Sequence, residues 1–148
     1  MSSHERSTAI ARFELQLSST YGEMAERGAE LERRLLELAV EEAGRYRAHL
    51  AYEELVGNVL RYGGAPAGGI RLRLDVVVEH ERLLLVIQDD GPPFDPTAVP
   101  DPPVARSVTA ARVGGQGIAM VRRVAQRFDY RREGGRNRVE LEIPRRAS

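Results

Sequence analysis

The chain has 148 residues, 42% of them hydrophobic and 30% charged, with 22 basic and 22 acidic residues for a formal net charge of zero. That length and composition fit one globular domain and exclude wholesale disorder, and the charge balance provides no overall positive field toward nucleic acid. There is no cysteine, so disulfides, zinc-thiolate sites and thiol nucleophiles are excluded, and His4, His49 and His80 are too far apart in sequence to show metal-ligand spacing.

All 22 basic residues are arginine. Any bound phosphate must therefore be held by guanidinium groups, backbone N–H groups or a metal, because the lysine of a Walker-type loop is missing. The N-terminal residues lack the apolar stretch of a signal peptide, and the longest apolar runs fall short of a membrane span. The expectation is a cytoplasmic protein with no membrane contact.

In chain order, Ala11, Phe13, Leu15 and Leu17 alternate with polar residues, which predicts a half-buried strand. Met24, Gly28, Leu31, Leu35 and Leu38 recur at helical spacing and predict a helix over residues 22–43, with Gly44 as its stop. Ala48, Ala51, Leu55, Val59 and Tyr62 form the apolar stripe of a second helix over residues 46–62, which a glycine-rich turn at 63–69 ends. Ile70, Leu72, Leu74, Val76 and Val78 predict a strand. The continuous run Leu83-Leu84-Leu85-Val86-Ile87 predicts one that is covered on both faces or central in its sheet.

Six of the eight prolines lie between Pro92 and Pro103, so regular structure is expected to fail there. A loop running on to about residue 113 is long enough to suggest a lid. Gly114-Gly115-Gln116-Gly117 then opens a helix through about residue 127. Strands at 128–133 and 138–143 follow, joined by a hairpin turn at Gly134-Gly135-Arg136-Asn137. Mostly antiparallel strands with too few helices to cover both faces predict a two-layer α/β sandwich, a mixed sheet with helices on one face. No second domain is expected within residues 1–148.

Three groups carry chemistry. Glu54 and Asn58, at i and i+4 on the second helix, share a face that Arg61 extends, and a carboxylate beside an amide oxygen suits orienting a hydroxyl and binding a hard cation. Gly57 between them costs about 1 kcal/mol relative to alanine and calls for a close approach by another group. Asp89, at the end of the apolar strand, can accept a hydrogen bond from an exocyclic amine, and Gly91 lets backbone pass close to a flat ring. Gly115 and Gly117 expose backbone N–H groups at a helix start, where phosphate binds without lysine.

These groups, in the phrases EELVGNVLRYG, IQDDGPPFDP and GGQGIAMVRRVAQRFDYRREGGRNRVELEI, resemble the GHKL superfamily of ATPases and kinases. The resemblance is greatest to the anti-sigma-factor serine/threonine kinases of the RsbW/SpoIIAB type, and it spans residues 8–144. It implies a Bergerat ATP-binding fold with ATP and Mg²⁺ as cofactors. Glu54 would be the general base, Asn58 the Mg²⁺ ligand, Asp89 and Gly91 the adenine readers. Gly115 and Gly117 would cradle phosphate under a lid at residues 92–113. Asn137 takes the place of a threonine that lies near adenine in sensor-kinase relatives. Tyr62 stands where relatives often have histidine, and Arg61, Arg106 or Arg112 would assist the phosphates. The implied biology is partner switching: a homodimeric kinase that sequesters a sigma factor or phosphorylates an anti-anti-sigma partner of the STAS fold. The alternative is a nucleotide-binding regulator without kinase turnover. A sensor histidine kinase would need a helical hairpin around a phosphoacceptor histidine, and a gyrase-type ATPase would need further domains.

Overall fold

Period-two alternation in the sequence becomes the period-two burial of a single sheet. A computed structural model describes residues 9–18, 20–63, 69–102 and 116–147. In chain order these residues form β1 (Ala11–Ser18), α1 (Tyr21–Glu37), α2 (Glu42–Tyr62), β2 (Arg71–Val78), β3 (Arg82–Asp89), a 3₁₀ turn (Pro96–Ala98), α3 (Gln116–Val124), β4 (Arg127–Glu133) and β5 (Arg136–Pro144). The sheet order is β1-β2-β3-β5-β4. All four pairings are antiparallel, so the described strands include no parallel pair of the kind a mixed sheet would contain.

One face of the sheet is apolar. Phe13, Leu15, Leu17, Leu72, Leu74, Val76, Val78, Leu83, Leu85, Ile87, Val139, Leu141 and Ile143 are all buried there and join the buried side of the helices in one core. The helices lie on that face, giving the two-layer sandwich. The apolar run of residues 83–87 is central, with two strands on each side of β3. Leu84 and Val86, which point away from the helices, are only half-buried, so the strand is covered on one face.

The helix boundaries differ from expectation for local reasons. α1 ends at Glu37, and the chain turns through Ala39 at φ 60°. Gly44 does not stop α1. It sits in the first turns of α2, where a Cβ would collide with the backbone carbonyl of Arg145. Its role is close approach of the C-terminal segment. Arg47 reinforces this by donating to the carbonyls of Pro144 (3.1 Å) and Arg146 (2.9 Å). At its other end α1 starts on a reciprocal cap. The Thr20 hydroxyl oxygen accepts from the Glu23 amide at 3.2 Å, while the Glu23 carboxylate reaches back to the Ser18 amide and hydroxyl. Those Ser18 bonds hold the Glu23 carboxyl below the usual carboxylate range.

Most of the middle of α2 is enclosed. Ala51, Tyr52, Leu55, Val56, Gly57 and Asn58 are buried because α2 packs against α1, α3 and the sheet, while Glu53 is exposed and Glu54 half-buried. The expected polar face is corrected at Asn58, which is buried rather than solvated. Tyr52 fits this interior because its hydroxyl donates to the Met24 carbonyl at 2.6 Å, and burial pushes its pKa up to about 12. The β4–β5 turn is also tighter than read from sequence. Only Gly134 (φ 59°) and Gly135 (φ 76°) form it, both in the left-handed region that a two-residue type I′ turn requires. Arg136 and Asn137 already belong to β5.

Candidate nucleotide and catalytic site

The site lies along α2 where that helix faces the C-terminal end of β3. Antiparallel pairing puts Asp89 of β3 directly opposite Asn137 of β5. Both side chains point to the helix side and are buried, at 7% and 4% exposure. The Asp89 Oδ1 atom accepts from the Gly91 amide and from Asn137 Nδ2, each at 2.9 Å. Oδ2 accepts from none of the described residues. Burial raises the Asp89 carboxyl above its ordinary pKa, and the Asn137 and Gly91 bonds oppose that shift. Gly91 is needed here on steric grounds. A Cβ would lie 2.9 Å from Asp89 Oδ1 and 3.0 Å from Ile70 Cδ1.

Asn137 is the hub of this corner. Its Nδ2 also donates to the Pro92 carbonyl (2.8 Å), and its Oδ1 accepts from the Phe94 amide (3.2 Å) and the Tyr130 hydroxyl (2.7 Å). Arg132 adds a bond to the Gly91 carbonyl at 2.7 Å. The start of the proline-rich loop is thereby tied to the β4–β5 hairpin. Tyr130 and Arg132 were not foreseen. Their alternation with Phe128 along β4 was the available signal, since it places all three on the helix side.

Beside Asp89 opens a pocket of about 110 Å³ lined by Asn58, Val59, Gly63, Asp89, Pro92, Pro93, Phe94 and Asn137. Apolar walls with one unengaged carboxylate oxygen at the base suit a flat heterocycle carrying an exocyclic amine. Asn58 borders this pocket and is 8% exposed; its Oδ1 accepts from Arg61 Nη2 at 2.9 Å. The guanidinium folds back over Gly57, where a Cβ would stand 3.1 Å from Arg61 Nη1. Arg61 is therefore the close neighbour that Gly57 makes room for.

A second cavity of about 310 Å³ borders α2, lined by Tyr21, Met24, Ala25, Glu53, Glu54, Gly57 and Arg61. The Glu54 carboxylate borders it without a hydrogen bond or ion pair to any described residue. Its other neighbour is the first turn of α3, where a Cβ on Gly117 would fall on the carboxylate. Gly117 thus brings Glu54 against a helix N-terminus. Arg122 of α3 holds the loop in turn, through Asp101 (2.6 Å) and the carbonyls of Thr97 (3.2 Å) and Val99.

Glu54, Asn58, Arg61, Asp89, Gly91, Gly117 and Asn137 are thus drawn into one region, arranged around two cavities rather than one. Gly114 and Gly115, Arg106 and Arg112, residues 103–113 of the expected lid and the side chain of Tyr62 lie outside the described residues. Among the described residues no three His, Asp or Glu side chains converge as a metal site. The donor set still fits Mg²⁺ as phosphate-bound nucleotides carry it. That ion keeps several waters and phosphate oxygens and needs only one or two protein oxygens, here Asn58 Oδ1.

Comparison with known proteins decides the family. Residues 17–143 match the histidine kinase-like ATPase domain. The chain belongs to that family. This histidine kinase-like ATPase domain is 29% identical over 97 residues to the serine/threonine-protein kinase BtrW of Bordetella bronchiseptica, covering 66% of this chain and 68% of BtrW. Its fold is shared with the RsbU and RsbW domains of Rv1364c from Mycobacterium tuberculosis, at TM-score 0.62 and 16% identity over 93% of this chain and 34% of that one. The chain thus spans about a third of that mycobacterial protein's chain. A chain of the SiaB–SiaC complex from Pseudomonas aeruginosa also shares it, at TM-score 0.54 and 14% identity, with 96% of this chain and 94% of that one covered. The resemblance read from the three sequence phrases holds at the level of the histidine kinase-like ATPase domain. The family's fold implies ATP binding. No helix among the described residues is long and apolar enough to cross a membrane.

Proposed function

We propose that this protein is a serine/threonine kinase of a partner-switching system, a single domain that binds ATP with Mg²⁺ and phosphorylates an anti-anti-sigma partner of the STAS fold. The observation that carries the reading is the placement of two cavities along α2, bordered by Asn58 and Glu54 one helical turn apart. Asn58 and Asp89 border the smaller one, and Glu54 borders the larger. Adenine fits the smaller pocket, with its amine on Asp89 Oδ2 and Gly91 giving clearance. Asn58 Oδ1 would hold the metal, and Gly117, with Gly115 ahead of it, would present amides to phosphate. Bound Mg²⁺·ATP supplies the phosphoryl group and neutralises its charge.

The larger cavity is the place for the acceptor hydroxyl. Glu54, engaged by none of the described residues and beside it, would orient that hydroxyl and accept its proton. Tyr21, Met24 and Ala25 offer an apolar wall for the polypeptide that bears it. The kinase BtrW supports a serine/threonine acceptor, and the SiaB–SiaC complex supports a protein partner for this fold. A sigma factor as the second partner, and a homodimer, complete the proposal.

The Arg61–Asn58 bond favours a second reading, in which the domain binds nucleotide and controls a partner without turnover. Here the amide oxygen required by the metal is already engaged by a guanidinium. The test is incubation with γ-labelled ATP and STAS-fold proteins of the same organism, for the native protein and for Glu54→Ala. Label on a serine or threonine that disappears with Glu54→Ala supports the kinase. ATP binding with no transfer to any STAS protein supports the regulator.

A further inference from the structure

The sheet face turned away from the helices carries charge in ordered rows. Cross-strand register lines up Gln16, Arg73, Gln88, Arg138 and Arg131 in one row, and Glu14, Asp75, Val86, Glu140 and Asp129 in the next. The two rows neutralise each other. Arg73 pairs with Glu14 (3.1 Å) and Asp75 (3.0 Å), Arg138 with Glu140 (2.7 Å), and Arg131 with Glu133 (3.2 Å) and Glu140 (3.5 Å). Further along, Arg127 and Arg82 share Glu142.

The row at the other end breaks this pattern. Arg71 at the start of β2 and Arg136 at the start of β5 are exposed, and neither guanidinium meets a carboxylate among the described residues. Arg12 also lacks one, but it stands alone at the far end of β1. Arg71 and Arg136 instead line one cleft of about 220 Å³, together with Gln16, Leu72, Arg73, Gln88, Asp89 and Asp90. Two carboxylates also border the cleft, and neither pairs with the Arg71 or Arg136 guanidinium. Asp89 Oδ1 takes Gly91 and Asn137 on the helix side, and Asp90 Oδ1 takes the Arg71 backbone amide at 2.8 Å. That last bond, with Asp90 N donating to the Arg71 carbonyl at 3.3 Å, fixes the backbone under Arg71.

We propose that this cleft is an oxyanion-binding site, distinct from the nucleotide pocket and separated from it by the Asp89–Gly91 turn. Its ligand is a phosphate or carboxylate group gripped between the Arg71 and Arg136 guanidiniums, with the Gln88 amide as a further donor. Neither guanidinium has a carboxylate partner among the described residues to give up when an anion enters, and guanidinium forks match the paired oxygens of both groups. The anion comes either as free phosphate or on an acidic side chain of a polypeptide, and the two sources are separable.

The test is an NMR titration of the native protein and of the Arg71→Gln/Arg136→Gln double variant, with inorganic phosphate in one arm and a hexaglutamate peptide in the other, each against chloride at matched ionic strength. The site predicts saturable shifts at Arg71, Gln88 and Arg136 in the native protein, and an affinity read at Gln88 that falls about 100-fold in the double variant. Stronger binding of phosphate identifies a free phosphate ligand, and stronger binding of the peptide identifies an acidic segment. Shifts that match the chloride control, or that persist in the double variant, overturn the proposal. Both substitutions are at exposed positions, and an unchanged melting temperature confirms the fold. ATP binding should be unaltered by them, so failure here is distinct from failure of the nucleotide site.

Discussion

Replacing Asp89 by asparagine separates what this side chain does for the fold from what it does for a ligand. The substitution keeps Oδ1, which still accepts from Gly91 and Asn137, and turns Oδ2, which accepts from none of the described residues, into an N–H₂ donor. Adenine's amine would then meet a donor instead of an acceptor. Losing a hydrogen bond to a charged group costs about 1.5–3 kcal/mol, so ATP binding should weaken roughly 10- to 150-fold. Stability should move the other way. Burial raises the Asp89 pKa in the folded protein above its ordinary value of 3.8. The native state therefore holds this proton more tightly than the unfolded chain does. The resulting stabilisation is complete below pH 3.8 and is lost as pH rises through the raised value. At neutral pH the wild type carries the full cost of a buried charge, which asparagine avoids. Calorimetric titration with ATP and thermal melts from pH 3 to 7 measure both effects. The variant should bind ATP poorly, and its melting temperature relative to wild type should climb as pH rises. Unchanged ATP affinity would refute Asp89 as the adenine reader. A variant that loses stability at pH 7 would refute the claim that its carboxylate is held at a cost.

Four further outcomes follow from the same geometry. Glu54→Ala should bind ATP normally while transfer to a protein acceptor falls roughly 10²- to 10⁴-fold, measured by single-turnover transfer of labelled phosphate. Gly117→Ala drives a methyl group into the Glu54 carboxylate and should depress transfer more than ATP affinity, a comparison that kinetics and calorimetry make directly. Gly44→Ala collides with the Arg145 backbone and should cost about 1–3 kcal/mol of stability in urea unfolding, far from either cavity. Tyr52→Phe removes a buried hydrogen bond to the Met24 carbonyl, which keeps its bond within α1, and should cost about 0.5–1.5 kcal/mol by the same assay, without affecting ATP binding.

Much of the sheet was legible because strand burial repeats every two residues. The alternations at 11–17 and 70–78 fall on β1 and β2, and the apolar run at 83–87 falls on the central strand. The Glu54–Asn58 spacing and the Asp89–Gly91 turn were legible as local chemistry. What escaped depends on partners distant in sequence. Gly44 looks like a helix stop until the carbonyl of Arg145, a hundred residues on, is brought against it. Nothing around Asn137 reveals that its register partner is Asp89. The helical stripe on α2 omitted Tyr52 and Val56, because that helix is enclosed on several sides and local periodicity measures one side at a time. The cap at Thr20 is a different case. Thr-x-x-Glu ahead of an apolar run is a local signal, present in the sequence and overlooked.

The central claim is that ATP occupies the pocket between α2 and the loop after β3, and photolabelling with an azido-adenine analogue of ATP tests it most directly. The account predicts label, competed by Mg²⁺·ATP, in peptides containing Asn58–Gly63 or Pro92–Phe94. Label confined to other peptides, or insensitive to ATP, would contradict it.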